Sequence, residues 1–208
     1  MRRPVFARMY ARVRPALDDQ GAAEHRRRLL TGAAGRVVEV GAGDGGNFAH
    51  YPPAVESVLA VEPEPFLRAQ AERQAASAPV AVEVVEGTAD RLPAPDATAD
   101  VVVVSLVLCS VPDQAAALAE ARRVLRPGGE LRFYEHVAAD GGRLATVQRV
   151  VDATLWPLFA GGCHTHRDTV GAISAAGFTV EELDRFEFPP GRSTPASPHV
   201  LGRARLRA

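Results

Sequence analysis

The sequence predicts an α/β fold, one mostly parallel sheet with helices on both faces. Two observations lead there. From Arg36 onward, short β-branched runs alternate with helical segments, the pattern of βαβ units. The run Val101-Val102-Val103-Val104 is apolar at every position, as a central strand covered on both sides requires. A chain of 208 residues that is 47% hydrophobic can bury one sizeable core, and neither an internal repeat nor a low-complexity linker divides it. The expected organisation is a single domain over 1–208, with a helical segment at 1–33, a ligand-binding half at 36–137, and further helices with a C-terminal hairpin at 138–208.

The elements follow in order. Phe6, Met9, Tyr10, Val13 and Leu17 recur at helical spacing, and a second short helix ends at Leu29-Leu30. Strand and helix then alternate: strand Arg36–Val40, helix Gly46–Tyr51, strand Ser57–Glu62, helix Glu64–Ala76, strand Val80–Glu86, strand Asp100–Ser105, helix Asp113–Leu125, strand Gly129–His136. A long helix over Gly142–Phe159 carries Leu144, Val147, Val151, Leu155 and Leu158 on one face, and another begins near Arg167 and stops before Gly177. Phe178–Phe186 and His199–Leu206 read as strands joined through Pro189-Pro190-Gly191-Arg192, a link short enough for an antiparallel pair.

The charge balance, 24 basic against 25 acidic residues, excludes the strongly basic face of a dedicated nucleic-acid binder. Its distribution is uneven. Residues 1–36 hold nine Arg and three acids, a net +6, whereas 37–135 hold seven Arg and fifteen acids, a net −8. Every basic residue is Arg, which reads as codon usage of a GC-rich genome. The basic leading helix has three readings: a lid over an acidic sheet edge, a weak contact with anionic lipid, or a solvated face. The stretch Met1–Arg8 never enters an apolar core, so no signal peptide is expected, and the longest apolar run, Ala99–Val111, is too short for a bilayer span. Cys109 and Cys163 make no disulfide framework and show no metal-ligand spacing, so a reducing, cytoplasmic setting and no metal are expected. A monomer or homodimer is the expected assembly.

The chemistry concentrates in Glu39-Val40-Gly41-Ala42-Gly43-Asp44-Gly45-Gly46-Asn47, a buried strand running into a glycine turn. Glycine there admits a ligand close to the backbone and accepts positive φ. The literal G-x-G-x-x-G alone reads first as a dinucleotide site, hence a nicotinamide oxidoreductase. Glu39, however, would repel a pyrophosphate and favour an ammonium group. The next strand ends in Glu62-Pro63, 21 residues past Gly41, where an acid can accept from both hydroxyls of a ribose; the alternative makes Glu62 a cap for the following helix. In the third loop, Thr88 and Ala89 offer backbone groups and Asp90 a side-chain acceptor to an adenine ring, or Asp90–Arg91 is a solvated pair.

With Arg123-Val124-Leu125-Arg126-Pro127-Gly128-Gly129-Glu130-Leu131 before the fifth strand, these pieces resemble the class I S-adenosylmethionine-dependent methyltransferases over nearly the whole chain. The resemblance implies a Rossmann-like, seven-stranded sheet with an antiparallel last strand. It implies S-adenosylmethionine as cofactor and S-adenosylhomocysteine as product, held by Glu39, Gly41, Ala42, Gly43, Asn47, Glu62, Pro63, Thr88, Ala89, Asp90, Ser105 and Leu106. Ser105–Val111, Phe133–Ala139, Trp156–Cys163, Arg167-Asp168 and Pro198-His199-Val200 are similar to the methyltransferase-like group whose vertebrate members methylate alkyl thiols. Those begin with a hydrophobic membrane-associated segment, whereas this chain begins with an Arg-rich helix, so membrane residence is not carried over.

The function expected is methyl transfer to a small, apolar acceptor, a thiol first and an oxygen or nitrogen nucleophile of a secondary metabolite or lipid-like compound second; a non-catalytic cofactor-binding partner is the reading from another class. Glu135 and His136, where the fifth strand ends, are the candidate catalytic residues, with His136 either a general base or a group that shapes the pocket. Tyr10, Cys109, Trp156, Leu155, Phe159 and His164 are candidate acceptor contacts, each with a packing alternative. His164 and His166 could instead cap the helix that follows them.

Overall fold

The computed structural model describes residues 4–154, 156–191 and 194–206; Leu155 and Arg192 lie outside them. The strands are β1 (Gly35–Val40), β2 (Val55–Val61), β3 (Val82–Val85), β4 (Ala99–Ser105), β5 (Leu125–His136), β6 (Phe178–Glu187) and β7 (Pro198–Leu206). They form one sheet in the order β3-β2-β1-β4-β5-β7-β6. Pairing is parallel from β3 through β5, while β7 runs antiparallel to both β5 and β6. The strand order reverses between β1 and β4, and in open α/β sheets ligands bind at the carboxyl ends of the strands beside such a reversal.

Helices α1 (Pro4–Leu17), α2 (Ala23–Leu30), α3 (Pro65–Ala75), α4 (Gln114–Val124), α5 (Gly142–Asp152), α6 (Trp156–Phe159) and α7 (Thr169–Ala175) cover the sheet. The period-2 alternation of the strands sorts their side chains. Val38, Val40, Val102, Val104, Leu131 and Phe133 pack with Ala117, Leu118, Ala121 and Val124 of α4 and Ile173 of α7. Val37, Val58, Ala60, Val101, Val103 and Tyr134 face the other way, onto Leu29, Leu30, Phe48, Tyr51 and Ala71. Removing a side chain such as the fully buried Leu118 from water stabilises the fold by about 1.5–3 kcal/mol. Helix starts are set by side chains: Asp113 accepts from Ala115 and Ala116, and Glu64 accepts from Leu67 with Pro65 at the first helical position.

Two expectations change. The helix expected over Gly46–Tyr51 is only a single 3-10 turn, Phe48–His50, because the glycines before it are held in turns. The helix expected over Gly142–Phe159 breaks after Asp152. Pro157 cannot donate to Ala153 and its ring would clash with that carbonyl, so α6 restarts separately. The leading helices are joined by a π-helical turn, Asp18–Ala22, kinked at Gly21. Among the described residues, no helix is long and apolar enough to cross a membrane.

Candidate active site

The glycine turn after β1 folds back over β2. Gly41 and Gly43 have φ of +65° and +60°, and a Cβ at Gly41 would lie 2.6 Å from Cγ2 of Val107. Gly41 N and Ala42 N both donate to Val61 O, at 2.8 and 3.1 Å, and Gly43 N donates to Glu62 Oε2 at 2.8 Å. These three amides are thus engaged, and the 3-10 turn offers no helix N-terminus to a pyrophosphate.

Beneath the turn lies a buried polar network. Glu39 is 1% exposed and accepts from Asn47 Nδ2 at 2.9 Å and from the Tyr51 hydroxyl at 2.6 Å. Burial pushes its carboxyl up to about 7, although both donors pull it down. Arg26, also buried, donates to Asn47 Oδ1 at 3.0 Å and to Asp18. Arg14 on α1 donates to Asp44 at 2.6 Å and pairs with Asp18. Tyr10, one turn earlier on α1, faces Gly43, where a Cβ would meet its ring at 3.6 Å. The leading helix therefore sits on the turn. Arg132 of β5 fastens its companion α2 by donating to Leu29 O and Thr31 O.

Glu62 at the end of β2 accepts from Gly43 N and Glu64 N, both at 2.8 Å, and burial raises it to about 7. The cap of α3 is Glu64, so the capping alternative for Glu62 is set aside. Pro63 follows it half-buried. In the third loop Thr88 and Asp90 are exposed and Ala89 packs on the core, while Arg91 N returns to Thr88 O. Among the described residues no ion pair joins Asp90 to Arg91.

At the ends of β4 and β5 the arrangement is different. Ser105 Oγ is buried without a hydrogen-bond partner, and Leu106 adopts φ +59°, a costly conformation for a branched residue. Glu135 is fully buried, and its carboxylate accepts from Val107 N, Leu108 N and Cys109 N at 2.8, 2.9 and 3.1 Å. Burial still raises it to about 7. With its oxygens committed to three amides, Glu135 shapes the 107–109 loop. His136 Nδ1 lies 3.3 Å from Cys163 Sγ, and the donor atoms of Cys109, His136 and Cys163 all lie within 4.8 Å of one another. Sequence reasoning missed this cluster, whose members come from three separate segments. Cys163 is pulled down by the Cys109 thiol and by His136, while Cys109 is pushed up, as one proton is shared between two sulfurs. Burial, the largest single influence, opposes the charged form of His136, but Cys163 and Glu135 together outweigh it and the imidazole is raised.

The 160–166 segment is tied in by Asp152, which accepts from Thr165 N and His166 N, and by His164 N donating to Cys109 O at 2.8 Å. The α7 cap is Asp168, accepting from Gly171 N, and not a histidine. His164 is half-exposed, with Nδ1 3.8 Å from Asp152. Trp156 is half-buried with Nε1 lacking a partner, whereas Phe159 is 71% exposed. Phe6 of α1 packs against Gly161, bringing the leading helix to the same edge.

Comparisons with known proteins agree on the kind of molecule. A family model described as a methyltransferase domain matches residues 38–133. Thiol S-methyltransferase TMT1B of Homo sapiens is 38% identical over 180 residues, covering 84% of this chain and 73% of that protein. Thiol S-methyltransferase TMT1A of Homo sapiens is 35% identical over the same shares. A SAM-dependent methyltransferase of Thermotoga maritima superposes with a TM-score of 0.70 at 21% identity, covering 98% of each chain.

Proposed function

Because the chain belongs to the S-adenosylmethionine-dependent methyltransferases and aligns with thiol S-methyltransferases over most of its length, we propose that it methylates the sulfur of a small, apolar thiol. Its cofactor is S-adenosylmethionine and the product S-adenosylhomocysteine. One observation carries the reading of the site: two buried carboxylates, Glu39 and Glu62, flank a glycine turn whose first amides are already engaged. Such a cradle suits a cationic, amino-acid-bearing ligand and rejects a pyrophosphate.

When bound, S-adenosylmethionine supplies a methyl group on a positively charged sulfur. In this reading Glu39, with Asn47 behind it, holds the amino-acid end over Gly41–Gly43. Glu62 accepts from the ribose hydroxyls, with Pro63 beside it, and Thr88, Ala89 and Asp90 bound the adenine. Ser105 and Leu106 line the approach to the methyl carbon. An acceptor would then lie over the ends of β4 and β5, beside His136 and Cys109, with Trp156 and His164 at its margin. Alignment and exclusion of water supply most of the rate for such a displacement. We read α1 as the lid that excludes it: Tyr10 covers Gly43, and Arg14 and Arg26 draw the basic segment onto Asp44 and Asn47. With this goes a cytoplasmic setting, since both cysteines are free and buried side by side, and a monomer or homodimer.

Titration calorimetry tests the cofactor half. S-adenosylhomocysteine should bind with one site per chain and NADH should give no heat of binding. NADH binding in place of S-adenosylhomocysteine would overturn the assignment.

A further inference from the structure

We propose that Cys109, His136 and Cys163 form a site for one zinc ion whose fourth position receives the thiolate of the acceptor. The site stands on geometry alone; the role of its fourth position rests on the thiol reading above. Tetrahedral zinc, with bonds near 2.3 Å to sulfur and 2.0–2.1 Å to nitrogen, sets its sulfur donors about 3.8 Å apart and sulfur from nitrogen about 3.6 Å. Here Cys163 Sγ and His136 Nδ1 are 3.3 Å apart and no donor pair exceeds 4.8 Å, so adjustments of about an ångström complete three corners of the tetrahedron.

The donor chemistry selects the metal. Two thiolates and an imidazole, with no carboxylate in the cluster, suit a borderline-soft cation and not magnesium or calcium. Three protein ligands with one open corner is the arrangement of reactive zinc sites, whereas purely structural sites use four. Cys109 and Cys163 are buried, and His136, half-buried at the strand-end edge, is the ligand nearest solvent. The ligands are also held from behind, as metal ligands generally are. Glu135 fixes the backbone of Cys109 through its amide, and His164 N, next to Cys163, donates to Cys109 O. Cys163 N donates to Ala160 O at 3.0 Å, closing the turn that carries the third ligand.

The metal would do what a general base otherwise must. On binding, the two cysteines and the acceptor thiol each release one proton to water. The acceptor sulfur, still held by zinc, uses a lone pair to form the new bond to the methyl carbon. The carbon–sulfonium bond breaks, and its electron pair remains on the sulfur of S-adenosylhomocysteine. The thioether product is neutral, a weaker ligand than a thiolate, and leaves.

The test uses the full chain, stripped with a chelator and kept reduced with a phosphine. Zinc is titrated against a chromogenic chelator, and cobalt(II) is added separately to read sulfur-to-cobalt charge-transfer absorption. One equivalent of zinc should bind and cobalt should develop the thiolate band. Cys163→Ser and His136→Gln should each weaken zinc binding roughly 100-fold or more, and Cys163→Ser should diminish the band. No zinc retained by the wild-type chain, or undiminished binding in both variants, overturns the site; the wild-type titration decides even where a variant fails to fold. Benzyl mercaptan added to the cobalt form with S-adenosylhomocysteine should shift the band, and an unshifted band overturns the role of the fourth position. Methylation of benzyl mercaptan at full rate by the stripped chain would sink the metal proposal and leave the thiol reading intact. One bound zinc with a thiolate band but no thiol methylated would sink the thiol reading and leave the site.

Discussion

Glu39 and Glu62 are ordinary carboxylic acids held in an unusual place. Burial raises both from 4.5 to about 7 in the folded chain. Between those values the native state binds protons that the unfolded chain has lost. The stability they contribute is present below the ordinary value and disappears as pH rises through about 7. A cationic ligand beside Glu39 reverses the preference and favours the ionised carboxylate. Binding of S-adenosylhomocysteine should therefore release protons and tighten from pH 6 to pH 8, by up to about tenfold per pH unit for each proton released. Calorimetry in buffers of differing ionisation enthalpy reads both quantities, and Glu39→Gln should flatten the dependence; the same slope in that variant would mean another group titrates. These residues were legible because strand, glycine turn and acid are contiguous in the chain. The Cys109, His136 and Cys163 cluster was not, since its members are 27 residues apart twice over and only the fold brings them together. Glu135 was legible in position but not in role: a buried carboxylate with three amides in reach becomes an anchor, and no local pattern marks those amides.

Among elements, the strands were read closely, because apolar runs of this length have few alternatives. The helices after Gly46 and after Asp152 were misjudged, where glycine turns and Pro157 override the apolar spacing. Helix α1 owes its position to Arg14, whose pair with Asp44 is largely shielded from water. Arg14→Gln should loosen the lid and speed dissociation of S-adenosylhomocysteine by roughly tenfold, the size expected for losing about 1.5 kcal/mol of charge-assisted hydrogen bonding. Stopped-flow displacement measures it, and an unchanged off-rate would make α1 a fixed wall. Shielding also implies that added salt acts weakly on this pair. On the other side of the site, fully buried Gln148 accepts from Ala139 N and donates towards Val137 O, Thr165 O and Pro195 O. Gln148→Leu leaves those groups unpaired and should cost about 2–4 kcal/mol in denaturant unfolding. A loss below 0.5 kcal/mol would show that solvent can take over its bonds.

Over the whole molecule, the near-neutral total conceals a basic leading segment at +6 laid against an acidic core segment at −8. Their contact is specific, running from Arg14 and Arg26 through Asp18, Asp44 and Asn47 to Glu39. The order β3-β2-β1-β4-β5-β7-β6 sets the proposed cofactor cradle at the ends of β1 and β2, and two members of the sulfur-rich cluster, Cys109 and His136, at the ends of β4 and β5, on one edge. The most direct test is mass spectrometry of the chain incubated with deuterated-methyl S-adenosylmethionine and an equimolar mixture of an alkyl thiol, a phenol and a primary amine. The account predicts a deuterated methyl thioether formed in step with S-adenosylhomocysteine. Label on the phenol or amine, with the thiol untouched, would contradict it.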